Sequence, residues 1–381
     1  MGYYLTRQSA LKWLETPSVY QIAKDELYEL DNESFQFLQR CACCDGCTTK
    51  DSAFIDYCVD EGLLTTEQVS LQRPPLERAP LPSLRYLELQ VTNACNLRCK
   101  HCYIGNAPGT HLPPAVIRDV LREFEKMQGL RVLITGGEPL LHPAFEEINE
   151  MFPDFSLRKV LFTNGVLLKN GTLKKLKVHE IQVSIDGLEP AHDALRGPGT
   201  YERSLNAVRQ ALDAGYAVSV STMVHAANLE DFDEMERQFK EMGIKEWTVD
   251  VPCITGRLRE HADLQVQPEQ AGKFLSYGYG GGMHTLGQGF GCGQHLMAVM
   301  PDGRAAKCTF FDDRAVGSVQ ERGVASCWQQ IRPVRLETLS CDCEFVSVCR
   351  GGCRYRAETL GSGTGKDLYR CSFYGILENK G

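Results

Sequence analysis

Residues 91–103 read VTNACNLRCKHCY, which sets Cys95, Cys99 and Cys102 in a C-x3-C-x2-C spacing. The cysteines follow directly on YLELQVT (86–92), whose alternating apolar positions suit a β-strand. Three thiolates on one short loop can hold three corners of a cubic [4Fe–4S] cluster and leave the fourth iron open. With His101 beside them they also suit a four-ligand zinc knuckle. The loop by itself leaves both chemistries standing.

The surroundings narrow the choice. Five further β-rich runs follow at regular intervals: RVLIT (131–135), KVLFTN (159–164), IQVSID (181–186), AVSVSTMV (217–224) and EWTVDVP (246–252). Amphipathic helical stretches separate them. Residues 115–127 place Val116, Val120, Leu121, Phe124 and Met127 on one face, and 201–214 and 229–242 repeat the pattern. Strand–helix alternation predicts parallel strands with right-handed crossovers, and six units predict an α/β fold with a partial or full (β/α) barrel. Such barrels carry their chemistry at the C-terminal ends of the strands, where the cysteine loop falls.

Other strand ends carry their own signals. The second run ends in TGGEP, with Gly136, Gly137, Glu138 and Pro139. TNG follows the third run (Asn164, Gly165) and SIDG the fourth (Ser184, Asp186, Gly187), then HDALRG with Arg196. Adjacent glycines permit close backbone approach, and a carboxylate there is an acceptor for an ammonium group. Taken together, these landmarks resemble the radical S-adenosylmethionine (SAM) superfamily, a partial (β/α)6 barrel. The resemblance implies that Cys95, Cys99 and Cys102 ligate a SAM-binding [4Fe–4S] cluster. It also implies that Gly136, Gly137, Glu138, Pro139, Asn164, Ser184, Asp186 and Arg196 contact SAM. The implied chemistry is reductive cleavage of SAM to a 5′-deoxyadenosyl radical that removes a hydrogen atom from substrate, with a flavodoxin- or ferredoxin-type electron donor.

After about residue 273 the periodicity is expected to dissolve into a glycine-rich stretch and then into cysteines. Cys292 and Cys308 bracket Gly303 as C-x10-G-x4-C, CDCEFVSVCRGGC supplies Cys341, Cys343, Cys349 and Cys353, and Cys371 closes the set. This array resembles the SPASM extension of radical SAM enzymes, which implies two auxiliary [4Fe–4S] clusters and three clusters in all. By that resemblance Cys292, Cys308 and Cys353 bind the inner cluster, and Cys341, Cys343, Cys349 and Cys371 the outer. One residue rather than two separates Cys341 from Cys343, a departure from the family spacing. Cys253, in VPCITGR at the end of the sixth run, is expected to face the barrel mouth as a hydrogen-atom donor, a fourth ligand of the inner cluster, or an inert buried thiol. Of the other cysteines, Cys58 and Cys327 read as buried thiols. Cys41, Cys43, Cys44 and Cys47 read as ordinary residues at a helix end, with one more metal site as the rival reading.

Residues 1–83 form a third zone. They carry 7 Lys/Arg against 13 Asp/Glu, which is −6 of the total −8, and end in the proline-rich LQRPPLERAPLPS, an expected extended linker. SVYQI and ELYEL alternate like short strands, while DNESFQFLQRC and DSAFIDYCVDEG read as helices with Asp starts. The zone resembles the winged-helix-like recognition domains of peptide-maturation pathways, which implies a ribosomal precursor peptide held through its leader. The domain organisation expected is therefore 1–83, 84–272 (barrel) and 273–381 (SPASM), and the expected activity is peptide maturation by crosslinking or epimerisation. An anaerobic sulfatase maturase is the alternative, but that family places Asp directly after the second inner cysteine, where this chain has Thr309, Phe310 and Phe311 before Asp312 and Asp313. A non-catalytic iron–sulfur sensor has no use for TGGEP or SIDG. Hydrophobic residues at 43% and charged residues at 24% exclude a disordered chain. The acidic balance argues against nucleic acid, and no apolar run suits a membrane span. The opening MGYYLTRQSALKW lacks a signal-peptide core, so a cytoplasmic location is expected.

Overall fold

The computed structural model describes residues 2–43, 45–48, 51–284 and 289–377; Cys44 lies outside the described residues. Six parallel strands run in chain order: Tyr86–Thr92, Arg131–Gly136, Arg158–Thr163, Glu180–Ser184, Ala217–Met223 and Glu246–Asp250. Helices Pro114–Lys126, Thr200–Asp213 and Phe232–Glu241 pack on the outer face. The period-two pattern explains why. Leu87, Leu89 and Val91 of the first strand join Val132, Ile134, Ile181, Val183 and the helix residues Leu121 and Phe124 in one core. Each such side chain contributes about 1.5–3 kcal/mol on burial.

The sheet does not stop at residue 250. Leu296–Val299 pairs in parallel with Tyr86–Thr92 on its free side, and Arg304–Ala306 and Gly317–Ser318 follow antiparallel. The result is nine strands with no ladder joining the two outermost among the described residues, an open partial barrel. This corrects the expectation that pattern is lost after residue 273. Strands of four, three and two residues are too short to show a period.

The N-terminal zone has its own three-stranded antiparallel sheet of Ser9–Trp13, Pro17–Gln21 and Glu26–Glu29. Helices Asn32–Cys41 and Ser52–Asp60 complete it. Their first turns are capped by Asp31 (Ser34 N–H at 2.8 Å) and Asp51 (Phe54 N–H at 3.0 Å). Ser9–Trp13 was not legible in the sequence, because SALKW shows no clear alternation.

This module docks on the N-terminal ends of the barrel strands, away from the cysteine loop. Asp25, in a left-handed turn (φ 64°), reaches Arg131 and Arg158 at the starts of the second and third barrel strands, and Tyr20 and His284 close around it. Arg158 also donates to Ile22 O (2.9 Å) and pairs with Glu180 at 2.6 Å. Ala10, Leu14, Tyr20, Ile22 and Ala79 share a cluster with barrel residue Leu130. The proline-rich segment is not a free spacer. Arg73 donates to Leu5 O (2.8 Å) and Thr6 O (2.7 Å), and Ala79 N–H donates to Trp13 O (2.8 Å). Asp25→Asn should therefore lower stability by about 3–5 kcal/mol, the usual cost of leaving a buried ion partner uncompensated. A urea midpoint equal to that of the unmodified protein would dismiss the network as the docking element.

Candidate active site

A cavity of about 290 Å³ opens at the C-terminal ends of the parallel strands. Its walls are the alternate positions that the outer core leaves free: Glu88, Thr135, Phe162, Gln182, Ser184, Ser221 and Met223. Cys95, Cys99 and Cys102 line it together. Their loop is held on three sides. Lys100 N–H donates to Leu195 O (2.9 Å), Asn164 Nδ2 donates to Asn96 Oδ1 (2.9 Å), and Arg257 donates through Nε to Cys99 O (2.9 Å). Gly256 (φ 55°) makes the last contact possible, since a Cβ there would stand 2.3 Å from Cys102 O.

Gly136, Gly137, Asn164, Ser184 and Arg196 also line the cavity, whereas Glu138, Pro139 and Asp186 stand behind its wall. Gly137 N–H donates to Thr92 O and Glu138 N–H to Ala94 O, both at 2.8 Å, which brings TGGEP against the start of the cysteine loop. A Cβ on Gly137 would fall 2.3 Å from Ala94 O. Pro139 is buried and opens a short 3-10 turn. The Glu138 carboxylate accepts from Thr163 Oγ1 (2.9 Å) and Asn164 N–H (2.9 Å), fixing the TNG turn, and burial pushes its carboxyl up to about 7. Asp186 is fully buried and pairs with Arg196. Burial opposes its ionisation, but Arg196 holds its carboxyl well below the usual range. That pair aims Arg196 Nη1 at Cys99 Sγ, 3.9 Å away.

His101 faces the same cavity with Nδ1 lacking a hydrogen-bond partner, and burial lowers its ring to about 3. No three His, Cys, Asp or Glu side chains converge on a single-ion geometry among the described residues. Three thiols spread around a glycine-walled cavity, with Arg196 and Arg257 beside them, fit an anionic cluster with a ligand at its open iron.

The second array also gathers. Cys341, Cys343, Cys349 and Cys371 line one tight pocket with Lys366 and Arg370, despite the shortened spacing. Cys292 and Cys308 pack in one cluster with Phe311 and Tyr355. Cys308 lies near Cys292 and Cys353, and burial pushes its thiol up. Cys253 is buried, lines the cavity and shares a side-chain hydrogen bond with Cys353. Cys58 and Cys327 are buried. Cys41 is buried against Cys47, while Cys43 is exposed.

Glu88 and Arg257 escaped the sequence reading. Glu88 is the one carboxylate among the described residues of the cavity wall; it accepts from Thr309 N–H (3.0 Å), and burial raises its carboxyl. The signal was present, since Glu88 and Gln90 alternate with three buried aliphatics in YLELQVT. A polar face on a fully covered strand marks a barrel interior. Arg257 carried no signal, because its contacts cross about 150 residues.

Residues 89–239 match the Radical SAM superfamily. The barrel is a radical SAM domain. Such a domain carries a [4Fe–4S] cluster and SAM. An AdoMet-dependent heme synthase of Nitratidesulfovibrio vulgaris is 24% identical over 77% of this chain and 93% of its own length. The mycofactocin maturase MftC of Mycobacterium tuberculosis is 26% identical over 70% of this chain and 77% of its own. Three other relatives are matched over only 58%, 53% and 46% of their lengths. Streptococcus suis SuiB, solved with S-adenosylmethionine, shares the fold across 95% of this chain and 98% of its own, with a TM-score of 0.69 at 15% identity. No helix among the described residues is long and apolar enough to cross a membrane.

Gly137→Ala should displace the Ala94 carbonyl and the loop beyond it. SAM binding by equilibrium dialysis should fall at least about tenfold, or about 1.4 kcal/mol, with unchanged far-ultraviolet circular dichroism. Unaltered affinity would show that this close approach does not shape the SAM site.

Proposed function

We propose that the protein is a radical SAM maturase of a ribosomally made peptide. The observation that carries this is one chamber with two kinds of wall. The cysteine loop and Arg196 stand on one side, and Cys253, Thr309 and Phe310, which adjoin the second cysteine array, stand on the other. A substrate in that chamber lies between the two arrays. Support also comes from the full-length likeness to SuiB, which has been solved with its precursor peptide SuiA, and from the similarity to MftC.

Residues 1–83 would then serve as the leader-recognition module, 84–272 as the catalytic barrel and 273–381 as a SPASM region. The protein would hold three [4Fe–4S] clusters and draw electrons from a cytoplasmic flavodoxin- or ferredoxin-type donor. Cys95, Cys99 and Cys102 would hold the cluster, which together with SAM would supply the means to remove a hydrogen atom from substrate. The chain's own residues do the rest. Gly136 and Gly137 let the cofactor approach the strand ends, and Arg196, set by Asp186, places positive charge beside Cys99. Phe162 and Phe310 give the chamber apolar wall that keeps water from a reactive intermediate. Glu88 offers an acceptor to a donor-bearing substrate side chain. Leader docking at the module's sheet edge would use strand addition, with the body of the peptide passing around the barrel to its mouth.

A second reading, haem synthesis, is favoured by the relatives of that name. The two separate in one assay. The anaerobically reconstituted protein should release 5′-deoxyadenosine, with additional turnover on a precursor peptide encoded beside the gene, and none on a tetrapyrrole. Single Cys95, Cys99 and Cys102→Ala variants should abolish release. Turnover of the tetrapyrrole alone would replace the peptide reading, and release by any of the three variants would refute radical SAM chemistry at this loop.

A further inference from the structure

A second cavity, of about 350 Å³, adjoins the chamber, and four residues line both spaces: Tyr103, Ile104, Thr309 and Phe310. Their side chains form the partition between the two. It is unevenly held. Gln90 Nε2 donates to Tyr103 Oη at 2.7 Å, and Thr309 N–H donates to Glu88 at 3.0 Å, so both residues are tied to the first parallel strand. Phe310 is held by aromatic contact, with its ring tilted on Tyr103 (centroids 4.8 Å apart) and stacked on Tyr355 (5.4 Å). A half-buried phenyl ring can change rotamer without leaving a polar group unpaired.

The second cavity offers donors. Asn93 Oδ1 accepts from Thr110 N–H (2.6 Å), and Asn106 Oδ1 accepts from Arg98 (3.0 Å). A donor bonded to each oxygen sets the orientation of the amide and leaves the two Nδ2 groups for a ligand. Thr110 and Thr255 add hydroxyls to the same wall. The charged residues that line the cavity, Asp302, Arg304 and Asp312, are all exposed, and Arg304 is already engaged by Asp302 (2.6 Å) and by Asp312 O (2.7 Å). The remaining walls are neutral and rich in donors. Such a surface suits an extended peptide, which carries no backbone charge and presents a carbonyl oxygen at every residue.

We propose that this cavity is the subsite for the peptide segment next to the residue being modified. Backbone carbonyls of that segment accept from Asn93 and Asn106, and the reacting side chain passes between Tyr103 and Phe310 into the chamber. The proposal rests on the peptide-maturase reading above and adds the place where the substrate lies. It has a consequence for selectivity. Backbone contacts are indifferent to side-chain identity, so selection falls on the side chain that crosses the partition and meets Glu88 beyond it.

The test uses the full chain, reconstituted anaerobically, with the precursor peptide encoded beside the gene as the probe. Asn106→Asp keeps the oxygen that Arg98 holds but replaces the donor with an acceptor, and should raise KM for the peptide about three- to tenfold, the worth of one hydrogen bond. Ala107→Trp, which fills the cavity, should raise KM at least about tenfold, with kcat changed less than about threefold, because it obstructs binding and not chemistry. Ala214→Trp is the control for added bulk, placed at an exposed position just before the strand Ala217–Met223, and should leave both constants as they are. If Ala107→Trp is insoluble, a photoreactive benzoylphenylalanine in place of exposed Pro108 carries the measurement. It should label the precursor within about three residues of the modified one, since an extended chain covers about 3.3 Å per residue. Unchanged KM in both variants, or labelling confined to the leader, overturns the proposal. Loss of SAM affinity in Ala107→Trp with KM for the peptide unaltered assigns the cavity to the cofactor and overturns it too. Failure of the maturase reading would look different, because the unmodified protein would then make no peptide product, and both would fall together.

Discussion

The strand Tyr86–Thr92 is hydrogen-bonded in parallel on both sides, to Arg131–Gly136 and to Leu296–Val299, and the rest of the molecule is registered to it. One of its faces supplies Leu87, Leu89 and Val91 to the helix-covered core. The other supplies Glu88 to the chamber and Gln90 to the hydroxyl of Tyr103, 2.7 Å away. Its C-terminal end runs into the cysteine loop. A one-residue slip would exchange the faces, burying Glu88 under the helices and pushing leucines into the chamber. Such a slip is costly on both sides at once. That cost is what gives the cysteine loop a single position.

Three arginines, Arg158 and Arg356 buried and Arg257 half-buried, then fix what the strands alone leave loose. Arg158 joins the N-terminal module to the closed end of the barrel, Arg257 holds the cysteine loop, and Arg356 joins the C-terminal region to the last parallel strand. The ion pairs of Arg158 and Arg356 add little net stability over a well-packed apolar contact, but they penalise every arrangement that leaves a charge unpaired. In this chain the three arginines sit where segments far apart in sequence meet. The module's position follows from the same device. Its docking at the strands' N-terminal ends leaves the cavity mouth at their C-terminal ends clear of the module.

All six parallel strands and three of the helices between them, Pro114–Lys126, Thr200–Asp213 and Phe232–Glu241, were legible in the sequence. Alternation of period two and periodicity of 3.6 are local properties, and the segments are long enough to show them. The cysteine spacings and the TGGEP, TNG and SIDG ends were legible for a related reason, since each is a loop whose chemistry is confined to a few consecutive residues. The N-terminal helices could be read from Asp31 and Asp51, whose capping is likewise a matter of three residues.

Tertiary structure decided the rest. The two- to four-residue strands beyond residue 295 gain their identity only by pairing with a strand 200 residues earlier. The proline-rich segment is held by Arg73 and Ala79 against partners more than 60 residues away. Glu138 and Asp186 were read from their motifs as SAM contacts, whereas the fold places both behind the cavity wall, one against Asn164 and the other against Arg196. The neighbour of Cys253 lies 100 residues along the chain. Spacing reports ligands that share a loop. It carries no information about thiols that the packing of a strand end against a distant helix brings together, because contacts at that range are set by the whole fold and not by any local pattern.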